Sequence, residues 1–360
     1  MRPITKTASM PYRLILSILF ISVLGLSSKA QNKAFWATIW SINSPEKIDN
    51  IIKTAKDNHF NQLFIQVRYR GDALYFPNKT DSSFHNPEQR SYILKGSKFD
   101  PLQYTINKLK GSTIEVHAWV PIFVVSPRDL SKIKAQHIFY QHANWITTKQ
   151  SGVPMKNTEH EGAFLDPGIV EVQQYLLNIL GDIATNYSIA GIQMDYIRYP
   201  DSIYGYNPLA LKRYKESKEA DFSLWKQEQI NNFVNKAYIL IKNINPKIQL
   251  SAAVIGNQQK AIDNSSQNWK QWLKDSYIDH VYVMAYNASN KSFNNLLLTI
   301  DEIRRDKTTI VMRAWKDKEP YSVHQINEKI NLCKRYGFFN LGFYSYSGLV
   351  KNHYLKHLKF

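Results

Sequence analysis

Cysteine is almost missing from this chain of 360 residues. Cys333 is the only one, so no internal disulfide can form and stability must come from a buried core. It lies in "INEKINLCKRYGF", a helical run with nothing beside it to activate a thiolate, and we read it as a buried apolar residue. Acidic side chains are outnumbered, 29 against 46 Lys and Arg, which leaves a net charge of +17. Beyond residue 30 no apolar run is long enough to span a bilayer. HExxH, paired CxxC, GxSxG and P-loop patterns are all lacking, so nothing asks for a metal or a cofactor and neither is expected. No repeat, linker or low-complexity segment divides the chain, and we read a single domain.

The first stretch has a different character. "MRPITKTASMPYR" carries Arg2, Lys6 and Arg13 without an acid, and the apolar "LILSILFISVLGLSS" and the small-residue site "SKA" follow. That is the layout of a secretory signal peptide over residues 1–30, with an apolar run of roughly 15 residues that is short for a membrane span. Export to the periplasm or the cell exterior is expected, with no stable membrane insertion after cleavage. Residues 1–30 hold four Lys and Arg and no acid, so the mature charge is +13. Such a balance suits an anionic cell-envelope polymer. An exported chain without basic blocks interleaved with aromatics is not expected to bind nucleic acid. Tyr (22) and Trp (8) are abundant, as suits platforms for the C–H faces of sugar rings.

From residue 34 onward, β-like runs alternate with amphipathic helical ones. The β-like runs cover 34–41, 62–70, 113–123, 190–200, 248–256, 279–287, 308–315 and 341–348. Helical runs separate them, among them 45–58, opened by Ser44 and Pro45, then 166–187 and a last one over 349–360. A long loop spans about 124–164. Eight strands alternating with helices over residues 31–360 predict an α/β fold, a (β/α)₈ TIM barrel. A doubly wound sheet would want a Gly-rich phosphate turn after the first strand, and "WSINSPEK" has none.

Such barrels place their sites at the C-terminal strand ends. There the sequence sets Arg68, Arg70 and Asp72 on strand two, His117 and Trp119 on strand three, and Asp195, Tyr196 and Arg198 on strand four. Strand six ends in Tyr286, strand seven in Arg313 and Trp315, and strand eight in Tyr344 and Tyr346. Aromatics to hold rings, arginines to bond hydroxyls or anions, and carboxylates for acid–base work suit carbohydrate cleavage. Structural alternatives stand beside these readings. Asp195 could pair with Arg198 or Arg68, His117 could be a core histidine, Asp166 could cap a helix, and Asp72 could cap a turn.

"QVRYRGDALYFP", "EVHAWV", "LDPGIVEVQQYL" and "GIQMDYIRYP", in that order, resemble the glycoside hydrolase-like family 10 proteins. The resemblance implies an exported bacterial (β/α)₈ barrel, some members of the family acting on peptidoglycan glycan strands. Against the family's fourth-strand pattern D-G-I-H-F-D-D-Y-F-Y-P, Asp195 falls on the first of two adjacent aspartates. Tyr196 replaces the second, Ala190 the leading aspartate, and Pro121 stands where asparagine is usual. A fainter similarity links "AGIQMDYIRYP" and "DHVYVMAYN" to family 18 chitinases, but no glutamate follows Asp195 where their catalytic acid stands. Together these features predict an exported glycoside hydrolase for a polymeric, N-acetylated cell-envelope glycan, peptidoglycan strands favoured. Asp195 is the expected acid or its partner, with Asp72 first and Asp166 second as the other carboxylate. The alternative is a catalytically impaired glycan-binding barrel, for which the departures at Ala190, Pro121 and Tyr196 speak.

Overall fold

The computed structural model describes residues 31–287, 289–300, 303–316 and 321–360. The expected signal peptide, residues 1–30, lies outside them. Eight parallel strands close into a barrel: β1 (Lys33–Ala37), β2 (Gln62–Gln66), β3 (Glu115–Pro121), β4 (Gly191–Asp195), β5 (Gln249–Ile255), β6 (His280–Met284), β7 (Thr308–Arg313) and β8 (Leu341–Tyr344). Each strand pairs with its neighbours in chain order, and Lys33 beside Leu341 closes the ring between β1 and β8. The TIM barrel expected from the alternation is therefore the fold. Among the described residues no helix is long and apolar enough to cross a membrane.

Local rules account for the elements. In helix Pro45–Asp57 the Ser44 hydroxyl accepts from the Lys47 N–H at 3.4 Å, Pro45 begins the first turn, and Ile48, Ile51, Ile52 and Ala55 form the buried stripe. Along each strand alternate residues face opposite ways. The outward set, Phe35, Leu63, Ile65, Ala118, Ile192 and their kin, joins the main core shared with the helices. The inward set forms its own small cluster of Trp36, Phe64, Trp119, Tyr282 and Val311. Trp36 stacks on Phe64 with centroids 4.5 Å apart, and Tyr282 meets both edge-on. This aromatic plug fills the barrel below the site.

Beneath the plug lies a polar layer. His117 is buried, stacked on Phe64 at 4.6 Å, with Nε2 3.4 Å from the Glu115 carboxylate; it is a core residue and does not reach the substrate end. Its ring occupies the space that a side chain at position 191 would need, since a Cβ there would lie 2.3 Å from His117 Nδ1. Gly191→Ala is therefore expected to destabilise the fold by about 1–3 kcal/mol through overpacking. A urea denaturation midpoint equal to that of the parent would refute this.

Most strands are shorter than the sequence expectation, β1 ending at Ala37, β2 at Gln66 and β4 at Asp195, and the end of the chain differs as well. The eighth strand stops at Tyr344 rather than residue 348, and a helix begins at once over Tyr346–Lys351. Gly348 comes too close to the Ala314 backbone for a side chain, and the Asn352 side-chain amide donates to the Ala314 carbonyl at 2.9 Å. The helix is thus seated earlier than 349–360. The chain then turns at His353 (φ +56°) and places Phe360 against Phe60 and Phe343.

Candidate active site

At the C-terminal mouth of the barrel is a cavity of about 260 Å³. Trp36, Tyr282 and Val311 lie on its inner side, where they belong to the aromatic plug. Its walls include Trp119, Asp195, Tyr196, Arg198, Tyr286 and Tyr344, all foreseen in the sequence, together with Glu161, which was not. Trp119 and Tyr344 meet at right angles, centroids 5.8 Å apart. Tyr286 is backed by Trp315, edge-on at 5.0 Å, so Trp315 supports the wall.

Asp195 is the last residue of β4, and Tyr196 turns left-handed immediately after it (φ +50°). Both carboxylate oxygens are held: Oδ1 accepts the Tyr196 N–H at 2.7 Å and Oδ2 accepts the Trp119 indole N–H at 2.9 Å. The Ile122 N–H donates to its carbonyl at 2.7 Å, which ties the end of β4 to the exit of β3. Burial raises the carboxyl above its ordinary range, against the two donors and nearby Arg198, and the charge of Glu161 adds to the rise. The Arg198 guanidinium donates to the Tyr199 and Pro200 carbonyls at 3.3 and 3.2 Å and lies along the Tyr196 ring.

Glu161 arrives from far along the chain. After β3 the backbone makes a long excursion and comes back, with Val124 bridging Phe164 and the Val125 N–H bonded to the Ala163 carbonyl. Gly162 (φ +129°) passes so near Ser126 that a Cβ would lie 2.0 Å from its carbonyl oxygen. Beside it, His160 Nε2 lies 2.7 Å from an Asp201 oxygen, and the Arg128 guanidinium donates to the His160 carbonyl at 2.6 Å. These contacts set the exposed Glu161 carboxylate over the same cavity as Asp195. The pattern E-G-A-F just before "LDPG" holds the residue, but only the returning loop shows where it goes.

Several foreseen residues are placed elsewhere. Arg68 is fully buried: its Nε donates to Glu88 Oε1 at 2.7 Å, its Nη1 donates to the Ile122 carbonyl at 2.7 Å, and the Tyr175 hydroxyl donates to the same Glu88 oxygen. It braces the barrel rim and touches no open space. Asp72 belongs to a short hairpin, Arg68–Tyr69 against Asp72–Ala73, and faces a separate surface cavity, 3.6 Å from His137 Nε2. Burial, with the Glu88 charge nearby, pushes its carboxyl up to about 7 despite Arg68. It is not the partner of Asp195. Asp166 is also fully buried, accepting from the Thr147 hydroxyl at 2.8 Å and the Gly168 N–H at 2.9 Å; it organises the turn into helix Val170–Asn186. Arg313 is buried with its guanidinium 4.3 Å from the Tyr321 ring, off the cavity wall. Tyr346 opens the last helix and packs on Phe35 at 5.6 Å. Arg70 lines a neighbouring cavity with Trp40. Among the described residues, no group of three His, Cys, Asp or Glu is placed to hold a metal ion.

Residues 28–315 match the family model described as glycosyl hydrolase-like 10. Glycosyl hydrolase DigH of Escherichia coli strain K12 is 24% identical over 276 residues, covering 69% of this chain and 58% of DigH. The chain thus spans little more than half the length of the curated relatives it matches. Among solved structures, the PgaB (BpsB) glycoside hydrolase domain from Bordetella bronchiseptica superposes with a TM-score of 0.69 at 14% identity, covering 91% of this chain and 97% of that domain. Alpha-L-fucosidase isoenzyme 2 from Paenibacillus thiaminolyticus superposes with a TM-score of 0.63 at 8% identity, over 88% of this chain and 46% of the fucosidase. At these identities the two structures attest to the shared barrel.

Proposed function

The chain belongs to the glycosyl hydrolase-like 10 family, and we propose on that premise that its central cavity cleaves glycosidic bonds, with Asp195 and Glu161 as the working carboxylates. The observation that carries the reading is that both line one aromatic-walled cavity at the C-terminal strand ends. Glycoside hydrolysis needs a proton donor at the leaving oxygen and a second carboxylate as base or nucleophile. Asp195, raised by burial, is suited to hold the proton, and the exposed Glu161 offers a second carboxylate on the same cavity wall. Trp119, Tyr286 and Tyr344 offer ring faces to the sugar.

The substrate we favour is a polymeric, N-acetylated cell-envelope glycan, with peptidoglycan strands first, met by a chain exported through the pattern of residues 1–30. The mature charge of +13 favours residence on such an anionic surface. Incubation with peptidoglycan glycan strands and chitin oligomers, followed by mass spectrometry, tests the reading: new reducing ends support it. Glu161→Gln is expected to reduce turnover by about 10²-fold or more, because the amide can act neither as base nor as nucleophile. Parent-like turnover by Glu161→Gln would remove Glu161 from the reaction.

A further inference from the structure

Beside the central cavity, and sharing Trp119, Tyr196 and Tyr344 with it as a common wall, lies a second cavity of about 390 Å³. Trp40, from the segment after β1, and Arg70, from the hairpin after β2, stand on its other sides. Trp40 is 57% exposed, an unusual position for the largest apolar side chain, and its ring meets Tyr69 edge-on at 6.4 Å.

Arg70 differs from the two other arginines foreseen near this rim. Arg68 is committed to Glu88, and Arg198 to two backbone carbonyls. The Arg70 guanidinium instead lies between two rings, 5.4 Å from Tyr69 and 5.8 Å from Tyr196, and its Nη1 is shielded from solvent without a hydrogen-bond acceptor. Asp72, two residues on, is turned to His137 and the other cavity. The backbone that carries Arg70 is fixed. Its φ is +55°, its carbonyl accepts from His137 Nε2 at 2.9 Å, and Gly71 lies so close to the His137 ring that a side chain there would collide with it. A guanidinium held in place, partly desolvated and lacking an acceptor is prepared for a planar anion, for which its forked donors are matched.

We infer that this second cavity is a sugar subsite for a residue bearing a carboxylate, with Arg70 bonding the carboxylate and Trp40 packing on the ring. The inference rests on the glycosidase reading of the central cavity and names the residue that would recognise an anionic sugar beside it. A lactyl ether on a hexosamine and a hexuronic acid both supply the carboxylate.

The test is calorimetric titration of the chain carrying Asp195→Asn, so that ligand is not consumed. One ligand is an oligosaccharide of alternating N-acetylglucosamine and N-acetylmuramic acid, and the other is a glucuronate–N-acetylglucosamine oligosaccharide, each beside its carboxyl-reduced counterpart. At least one charged ligand is expected to bind about tenfold more tightly than its reduced form, the size of one charge-assisted hydrogen bond. Which one does so identifies the source of the carboxylate. Arg70→Gln should collapse that ratio to about one while holding the reduced ligand's affinity within about twofold, Arg70→Lys should keep part of the ratio, and Trp40→Ala should weaken both forms alike. A ratio near one in the parent, a ratio that survives Arg70→Gln, an equal loss for both forms in Arg70→Gln, or no binding of any ligand overturns the inference. The hydrolase reading stands or falls separately: if the chain with Asp195 intact cuts no glycan but the Arg70-dependent ratio persists, that reading fails and the subsite remains.

Discussion

Asp195→Asn is expected to lower turnover on glycan strands by about 10²–10⁴-fold while affinity changes only a few-fold. The amide keeps the size of the carboxyl and can still accept one of its two hydrogen bonds, but it cannot deliver a proton to the leaving oxygen. The pH profile gives a second check. A donor works in its protonated form, and burial lifts the Asp195 carboxyl above the ordinary carboxylate range. Activity should therefore persist above the pH at which an exposed aspartate would have ionised, and fall as pH rises through the elevated value. Stability carries the same sign. Between the ordinary and the raised pKa the folded chain holds more protons than the unfolded one, so the ionised Asp195 is a cost of folding that grows over that window as pH rises. At neutral pH the Asn variant loses one hydrogen bond and escapes this cost. Its melting temperature is expected to stay within a few degrees of the parent, which separates loss of chemistry from loss of fold. If the parent binds oligosaccharides yet releases no new ends, and Asp195→Asn alters binding alone, the impaired glycan-binding barrel is the right description. The firm hold on both Asp195 oxygens would then be that of a fixed acceptor.

The largest effect on stability is expected from Arg68→Met, about 3–5 kcal/mol, because it strands the buried Glu88 carboxylate. Glu88 Oε2 already lacks a hydrogen-bond partner, so no reserve of donors could compensate for the lost guanidinium. Arg68 also joins three parts of the rim: the hairpin that carries Arg70, the end of β3 through the Ile122 carbonyl, and the helix Val170–Asn186 through Tyr175. The double variant Arg68→Met/Glu88→Leu should recover much of the loss, since it removes both charges from the interior. Urea denaturation measures both. A single-variant loss below about 1 kcal/mol, or a double variant no better than the single, would show that the pair does not brace the rim.

Much of this molecule can be read directly from its sequence. The period-2 runs and their capped helical partners determine eight parallel strands, because alternate apolar residues must be buried on both sides of a barrel wall and Ser44–Pro45 starts a helix wherever it stands. The same local logic delivers Asp195, Trp119, Tyr196, Arg198, Tyr286 and Tyr344 to the mouth, since each occupies the C-terminal end of a strand or the residues just beyond it. Tertiary structure decided the rest. Whether a charged residue faces the cavity or a buried partner depends on what another segment brings to it. Glu88 claims Arg68, Thr147 and Gly168 claim Asp166, and His137 lies beside Asp72. None of these partners is a sequence neighbour except Gly168. Glu161 shows the converse: a polar residue in a long loop, without periodicity or motif, reaches the wall of the Asp195 cavity only because Val124–Phe164 pairing and the tight passage of Gly162 fold the loop back over β3. Strand ends are local facts, whereas the pairing of charges across a barrel mouth is a property of the closed ring.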